Sequence, residues 1–297
     1  MDIKFSKDVA DALRTGLPVV ALESTVIAHG LPYPQNLETA IRCEEAIRSA
    51  GAIPATIAVF DGEFCAGLSR EQIAHLATAD GIHKISRRDL PIAVGKKLTC
   101  ATTVATTAFI AHHGGIKIFS TGGIGGVHRG DLPDISADLP ELAQTSITVV
   151  CSGAKIVLNL PATREWLETN GVTVLGWQCD EMPAFYSRSS GLEIDERVDD
   201  AEQAADIIRG RDSLELPGAV LVTVPVPSEF EIQRDELEDI LNTALEKATA
   251  QGVKGKEVTP FLLAEMSAAS RGRTLAANIA LLENNASVAA EIAVALS

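Results

Sequence analysis

The chain has 297 residues, of which 46% are hydrophobic and 22% are charged. That mix is typical of a globular protein with a large core and excludes a disordered or fibrous chain. The formal net charge of −15 argues against a nucleic acid as partner, because binding a polyanion requires a broad basic surface.

The sequence also bears on location and redox state. We find no apolar stretch that approaches the ~20 residues of a membrane-spanning helix. Charges occur throughout the start, MDIKFSKDVADALRTG, so we expect no secretory signal. The five cysteines are widely spaced without a C-x-x-C pair, which argues against a disulfide framework or a structural zinc site. We therefore expect a cytoplasmic protein with reduced cysteines and no membrane partner.

Short β-branched runs predict the strands of a sheet. In chain order they are Val19–Glu23, Thr56–Phe60, Lys117–Thr121, Ile147–Cys151, Thr173–Gly176 and Val220–Val224. Several are apolar on both faces, as in parallel strands covered by helices on both sides. Asp61 and Gly62, between ATIAVF and EFCAGL, predict a hairpin, so the sheet is expected to be mixed.

Amphipathic segments between these runs predict helices. They are Asn36–Ala50, Arg70–Ala79, Thr102–His112, Arg234–Ala250 and Thr274–Ala295, with Asn36 and Ser69 as helix starts. The alternation of strand and helix predicts an α/β fold, a three-layer α/β/α arrangement with a mixed, largely parallel sheet, in one domain over 1–297. We expect the acidic segment 191–216 to be a solvated excursion rather than a hinge.

Open α/β sheets bind ligands beyond the carboxyl ends of their strands, and charged residues stand at two such ends. Glu23 follows VVAL, where it is either a solvated carboxylate or a general acid with a raised proton affinity. Lys155 follows ITVVCSGA. It is either the solvated start of a helix or an amine nucleophile in a pocket.

Three further features are candidates for binding. The glycine-rich run after Thr121, ending in His128 and Arg129, offers backbone N–H groups to an anion. The segment GDLPDISADLPEL (130–142) carries carboxylates that either cap a short helix or hold a hard divalent cation. A basic cluster, which is either a surface patch or a phosphate site, comprises Lys84, Arg87, Arg88, Lys96 and Lys97.

These segments together resemble the pseudouridine-5′-phosphate glycosidase family, also called the indigoidine synthase A-like family. The resemblance extends from about Pro18 to the final helix pattern. It is carried by ALESTVIAHGLPYPQN (21–36), PATIAVFDG (54–62), HKISRRDLP (83–91), ATTVATT (101–107), STGGIGGVHRG (120–130), DISADLPEL (134–142), VVCSGAK (149–155) and KEVTPFLL (256–263).

The resemblance implies reversible cleavage of pseudouridine 5′-phosphate with water to uracil and ribose 5-phosphate, a lyase reaction of the hydro-lyase class. It implies Glu23 as proton donor and Lys155 as covalent nucleophile. The residues that match substrate-binding positions are Lys84, Val104, Ser136, Ala137, Asp138 and Asn278. His128 as a phosphate or base contact is our own inference from the sequence.

The resemblance further implies one Mn²⁺ per subunit at Asp134 and a homotrimer, since some members of the family are trimers. The loop at Asp131–Pro133 is shorter than in some members, which bears on the metal's coordination. Two alternatives stay open at this point. One is another imine-forming sugar-phosphate lyase, and the other is a non-catalytic nucleotide-binding protein. A ribokinase-like kinase is disfavoured by the lack of a G-x-G-D motif.

Overall fold

The described residues of the computed structural model, 1–130, 134–253 and 258–297, contain an eleven-stranded sheet. Its strands are β1 (Ile3–Phe5), β2 (Val19–Leu22), β3 (Ile53–Phe60), β4 (Glu63–Ala66), β5 (His83–Ile85), β6 (Cys100–Thr102), β7 (Ile118–Ser120), β8 (Thr148–Cys151), β9 (Thr173–Trp177), β10 (Glu196–Val198) and β11 (Val220–Thr223). All six predicted strands are confirmed within one or two residues at the carboxyl end, and Thr56–Phe60 is the second part of β3.

The sheet is mixed and mostly parallel, as predicted. The strand order is β1-β4-β3-β2-β7-β8-β11-β9-β10, and the pair β5–β6 attaches to β3 through β6. Only the pairings of β3 with β4 and with β6 are antiparallel among the described strands. The predicted hairpin joins β3 to β4. Asp61 and Gly62 have φ values of 51° and 80°, the left-handed geometry that a two-residue hairpin turn requires.

Helices cover both faces of the sheet. In chain order they are α1 (Lys7–Thr15), α2 (Gln35–Ser49), α3 (Arg70–Thr78), α4 (Leu90–Gly95), α5 (Val104–His113), α6 (Asp138–Gln144), α7 (Leu160–Thr169), α8 (Ala201–Ser213), α9 (Arg234–Ala250), α10 (Val258–Ala269) and α11 (Arg273–Leu296). α11 packs between α2 and α8, whereas α5, α6 and α7 pack in sequence on the other face. The three-layer α/β/α prediction is confirmed, and the buried strands β2, β7, β8 and β11 form its centre.

Three details of the sequence analysis need correction. Asn36 lies inside the first turn of α2, where its side chain donates to the carbonyls of Ile27 and Ala77 rather than capping the helix. The acidic segment 191–216 is not an excursion, because it contributes β10 and the packed helix α8. Finally, α11 has 24 residues and an 18-residue window with a mean hydropathy of 1.4, enough by composition to cross a membrane. Its contacts with α2, α8 and three strands make it the central helix of one layer.

Candidate active site

Strand register brings the first two polar residues of the site together. In the parallel strands β2, β7 and β8, Leu22 is aligned with Ser120 and Ser120 with Val150. The next residues along β2 and β7 are Glu23 and Thr121, which therefore leave the sheet side by side. The Thr121 hydroxyl donates a hydrogen bond to the Glu23 carboxylate. The sheet edge thus orients a carboxyl group before any ligand is considered.

Lys155 reaches the same edge through a tight loop after β8. Gly153 adopts a φ of +77°, and a Cβ there would lie 2.2 Å from the carbonyl oxygen of Pro183. Only glycine fits this close approach in the left-handed region. The loop then pairs with the glycine-rich segment, since the Lys155 N–H donates to the Ile124 carbonyl at 3.1 Å. This pairing fixes the lysine backbone next to the end of β7.

A cavity of about 590 Å³ opens where these elements meet. Glu23 lines it from the end of β2, Lys84 from within β5, and Lys155 from the loop after β8, and Asn278 lines it from α11. Apolar residues form much of the remaining wall, from α10, α11 and the loop after β9. They include Leu263, Leu275, Leu282, Phe185 and Tyr186. The cavity therefore combines one carboxyl, two ammonium groups and an amide with an apolar surface, as ligand sites commonly do.

The environment of Glu23 favours its protonated form. Burial raises the pKa of this carboxyl above its ordinary value and is the largest influence on it. The Lys155 ammonium and the Thr121 hydrogen bond oppose the rise, the Asp138 carboxylate adds to it, and the Lys84 ammonium opposes it. Since the net shift is upward, Glu23 keeps its proton to a higher pH than an exposed glutamate, as a general acid requires.

Asn285 fixes the helix that forms one side of the cavity. It is fully buried, and its amide donates to the Thr121 carbonyl at 2.9 Å and to the Ser152 hydroxyl at 3.1 Å. These bonds connect α11 to the end of β7, which carries Thr121, and to the loop after β8, which carries Lys155. Asn278, two helical turns before Asn285 in α11, lines the cavity.

Asp138 and Val104 lie behind the cavity rather than on its wall. Asp138 is buried, and its carboxylate accepts the N–H of Gly125 at 2.8 Å and the N–H of Ala105 at 3.0 Å. It therefore clamps the glycine-rich segment to the first turn of α5, which begins at the buried Val104. Neither residue is among those that line the cavity. Their predicted contact with substrate stays a prediction.

The predicted metal and phosphate segment flanks the glycine-rich run. The His128 N–H donates to the Asp134 carbonyl at 2.8 Å, in a short antiparallel pairing beside the loop. Asp134 and Ala137 are exposed, and His128 and Ser136 are half-buried. None of these four lines the cavity. Asp131 and the short loop to Pro133 lie outside the described residues.

The basic cluster predicted near Lys84 does not act as one patch. Arg87 forms an ion pair with the buried Glu141 at 2.9 Å, whereas Arg88, Lys96 and Lys97 are exposed. Of these five cations, Lys84 alone lines the cavity. The structural role of Arg87 is to join the segment after β5 to α6.

Two threonines of the site escaped the sequence analysis. Thr121 was counted only as the end of a strand, and Thr25 only as a neighbour of Glu23. The Thr25 hydroxyl belongs to a residue that lines the cavity and has no hydrogen-bond partner among the described residues. The available signal was position, since Thr121 follows β7 directly and Thr25 lies three residues after the end of β2.

Comparison with known proteins gives consistent results along the whole chain. The family model described as indigoidine synthase A like protein matches residues 8–295. A pseudouridine-5′-phosphate glycosidase of Symbiobacterium thermophilum is 52% identical over 300 residues, with 99% of this chain and 97% of the relative covered. Among solved structures, an indigoidine synthase A-like protein of Thermotoga maritima has a TM-score of 0.90 at 39% identity, over 98% of this chain and 95% of that one. The prealnumycin C-glycosynthase AlnA, in complex with ribulose 5-phosphate, has a TM-score of 0.92 at 39% identity, over 99% and 96% of the two chains.

Proposed function

Because the chain belongs to the indigoidine synthase A-like protein family, we propose that it reversibly cleaves the C–C glycosidic bond of pseudouridine 5′-phosphate, giving uracil and ribose 5-phosphate. The observation that carries the proposal is the convergence of Glu23, Lys84 and Lys155 on one cavity. Relatives of about 50% identity bear the name of this activity. The C-glycosynthase similar to this chain was solved with a ribulose 5-phosphate ligand, a pentose phosphate of the class proposed here.

The carbon linkage explains why an amine is required. In an N- or O-glycoside, protonation of the leaving atom weakens the bond, and a pair of carboxylates suffices. A carbon leaving group has no lone pair to protonate. An amine at C1′ provides another route, because its nitrogen lone pair forms a C=N bond as the C–C bond breaks. Lys155 supplies that amine in the proposed reaction.

The proposed reaction begins with opening of the ribose ring. Glu23 gives its proton to the ribose ring oxygen as the C1′–O bond breaks, and the uracil ring releases its N1 proton to water, which leaves a double bond between C1′ and the base. The Lys155 ammonium then gives a proton to the Glu23 carboxylate, and the resulting amine adds to C1′. The C1′–C5 bond breaks with its electron pair going to C5, which takes a proton, and the imine left on Lys155 is hydrolysed by water. The sum is substrate plus water to uracil plus ribose 5-phosphate.

The remaining residues serve binding in this proposal. The Lys84 ammonium compensates the phosphate charge. His128, Ser136, Ala137 and Asp138 stay predicted substrate contacts. Asn278 presents both a donor and an acceptor, which match the imide of uracil. The apolar wall suits the faces of a planar base. Val104 contributes through the first turn of α5.

For the metal, we propose one Mn²⁺ per subunit at Asp134. A carboxylate is the hard oxygen ligand that such an ion prefers. Among the described residues no group of three or more His, Cys, Asp or Glu side chains is arranged to hold an ion, so most ligands would be waters and substrate oxygens. When bound, the ion would neutralise charge on the phosphate. Asp134→Ala should abolish the Mn²⁺ dependence of activity and the bound-Mn²⁺ signal in paramagnetic resonance titrations.

The decisive experiment is product analysis with pseudouridine 5′-phosphate, with and without Mn²⁺. Release of both uracil and ribose 5-phosphate is expected. Another imine-forming sugar-phosphate lyase would be trapped by borohydride without releasing uracil, and a non-catalytic nucleotide-binding protein would give neither result. If no uracil forms with Mn²⁺ present, the proposed activity is wrong.

Lys155→Ala tests the nucleophile. We expect a loss of ~10³-fold or more in the rate of uracil release and no covalent adduct by intact-protein mass spectrometry. Lys117→Ala is the matched control, since Lys117 pairs with Asp212 on the surface at 3.3 Å. An adduct that survives in Lys155→Ala would move the nucleophile elsewhere.

The assembly proposed is a homotrimer. Light scattering should then give three times the 31.3 kDa mass of the chain. A mass equal to one chain at micromolar concentration would overturn this part of the proposal without affecting the chemistry.

A further inference from the structure

A second, smaller cavity lies directly behind Glu23. Its volume is about 20 Å³, enough for one water molecule, which requires roughly 10–15 Å³. Glu23 lines both this space and the large cavity. Thr39 of α2 and Thr56 of β3 also line it. The space therefore connects the candidate proton donor with two buried hydroxyl groups.

Thr39 provides an independent reason to expect a ligand there. The residue is 2% exposed, and its hydroxyl has no hydrogen-bond partner among the described residues. A buried hydroxyl without a partner costs stability, and such groups are commonly satisfied by internal water. A second such hydroxyl, on Thr148, is equally buried but does not line this space.

The direction of each hydrogen bond follows from the partners of Thr56. Its hydroxyl donates to the Glu44 carboxylate at 2.7 Å, and Glu44 pairs with Arg48 at 3.2 Å. A hydroxyl has only one proton, so towards the cavity Thr56 can only accept. Thr39 still has its proton to give. A water between them accepts from Thr39, donates to Thr56, and has one proton left for Glu23.

From this geometry we propose that the small cavity holds one internal water, and that Thr39 positions the Glu23 carboxyl through it. The water gives Glu23 a contact on the side away from the substrate, in addition to the Thr121 hydroxyl. Thr39 is thus a positioning residue, since it touches neither substrate nor reacting atoms. The inference rests on the proposed function only for its effect on catalysis.

The charged groups around Glu23 set the sign of that effect. Lys155, Lys84 and Asp138 act on it from the loop after β8, from β5 and from α6, and His29 lines the same large cavity. On α2, the Glu44–Arg48 pair acts through Thr56, and burial raises the pKa of the Cys43 thiol to about 12, so this thiol stays neutral. A water that donates to Glu23 favours its ionised form. Removing it raises the pKa of Glu23, so a reaction that uses the protonated form persists to higher pH.

Thr39→Val tests this by removing the hydroxyl at nearly constant shape. Crystal structures at better than 1.8 Å should contain the water in the wild type and lack it in Thr39→Val. The alkaline limb of the pH profile for uracil release should move up by about 0.5–1 pH unit in the variant. Thr39→Ser keeps a hydroxyl and should restore both the water and the wild-type profile.

Thr148→Val is the matched control, because it deletes another buried, unpartnered hydroxyl, which does not line the small cavity, and should leave the profile unchanged. No water in the wild-type crystal overturns the proposal, even if Thr39→Val fails to fold. A water that is present while Thr39→Val keeps the wild-type profile overturns the positioning role. A water in a protein that releases no uracil supports the site and refutes only the proposed function.

Discussion

At the scale of single residues, the proposed chemistry requires a protonated Glu23 carboxyl close to Lys84 and Lys155. Burial raises the pKa of Glu23, whereas Lys155 and the Thr121 hydroxyl lower it. The net rise keeps Glu23 protonated to a higher pH than an exposed glutamate, near the Lys155 amine that the proposed reaction uses. A general acid needs such a compromise, since a fully ionised carboxylate has no proton to give.

Thr121→Val should make this balance visible. The variant removes a hydrogen bond that favours the ionised carboxylate, so the pKa of Glu23 rises further. Activity that needs the protonated form should then fall at a higher pH than in the wild type. The pH dependence of kcat/KM for uracil release measures this. Thr121→Ser, which keeps the hydroxyl, should behave like the wild type, and a downward shift in Thr121→Val would contradict the role given to Glu23.

Residue positions were predictable where a strand ends and less so where a loop turns. Glu23 and Asn278 reach the cavity, because a strand end and the inner face of a helix fix direction. Lys84 and Lys155 reach it as well, from the unpredicted short strand β5 and from the loop after β8. Asp138 could not be placed in this way. Its carboxylate is taken up by two backbone N–H groups, from α5 and the glycine-rich segment, which are distant in the sequence.

At the scale of elements, the glycine-rich segment allows close packing, whereas its predicted contact with an anion stays a prediction. A Cβ at Gly125 would lie 2.2 Å from the Ser136 hydroxyl oxygen and 2.8 Å from an Asp138 carboxylate oxygen. Gly123 is similarly close to the Phe185 ring, at 2.8 Å. The glycines allow their backbone to approach Phe185, Ser136 and Asp138 closely. From the sequence alone, glycines needed for such packing look the same as glycines that bind a phosphate.

Gly125→Ala should therefore destabilise the protein and reduce activity. The added methyl must displace Ser136 or break the Gly125–Asp138 hydrogen bond, and overpacking of this kind costs about 1–3 kcal/mol. The free energy of unfolding in urea measures the loss. Gly210→Ala is the matched control. Gly210 lies in α8 with nothing within 4 Å of a new Cβ, so the change should stabilise by about 0.5–1 kcal/mol. Equal effects in the two variants would refute the packing argument.

At the scale of the whole molecule, periodicity predicted the layers but not the path of the sheet. The six long apolar runs are central strands. The pair β5–β6 was missed because its strands have three residues each, too few to show a period. Yet this pair occupies the place beside β3 where β2 ends at Leu22, and it carries Lys84. The strand next to β3 therefore changes from β2 to β6 at the site, which leaves room for the cavity. This change depends on contacts between residues that are far apart in the sequence.

The fold also affects the reactivity of the five cysteines, which are all free. Burial raises the pKa of Cys43 and Cys151 to about 12, and of Cys100 and Cys179 to about 11. For Cys65 the shift is upward as well. Because the thiolate is the reactive form, all five should react slowly in the folded protein at pH 8.

Labelling with a thiol reagent at pH 8 tests this at the level of the whole molecule. In denaturant, where the thiols regain an ordinary pKa of about 8.5, all five should react within minutes. In the folded protein Cys179 should react first, since it alone of the five is not fully buried, and Cys179→Ser should remove that early phase. The other four should then report global unfolding, with a labelling rate that falls as ligand binding stabilises the folded state. Rapid labelling of two or more cysteines in protein with native circular dichroism would contradict the packing described here.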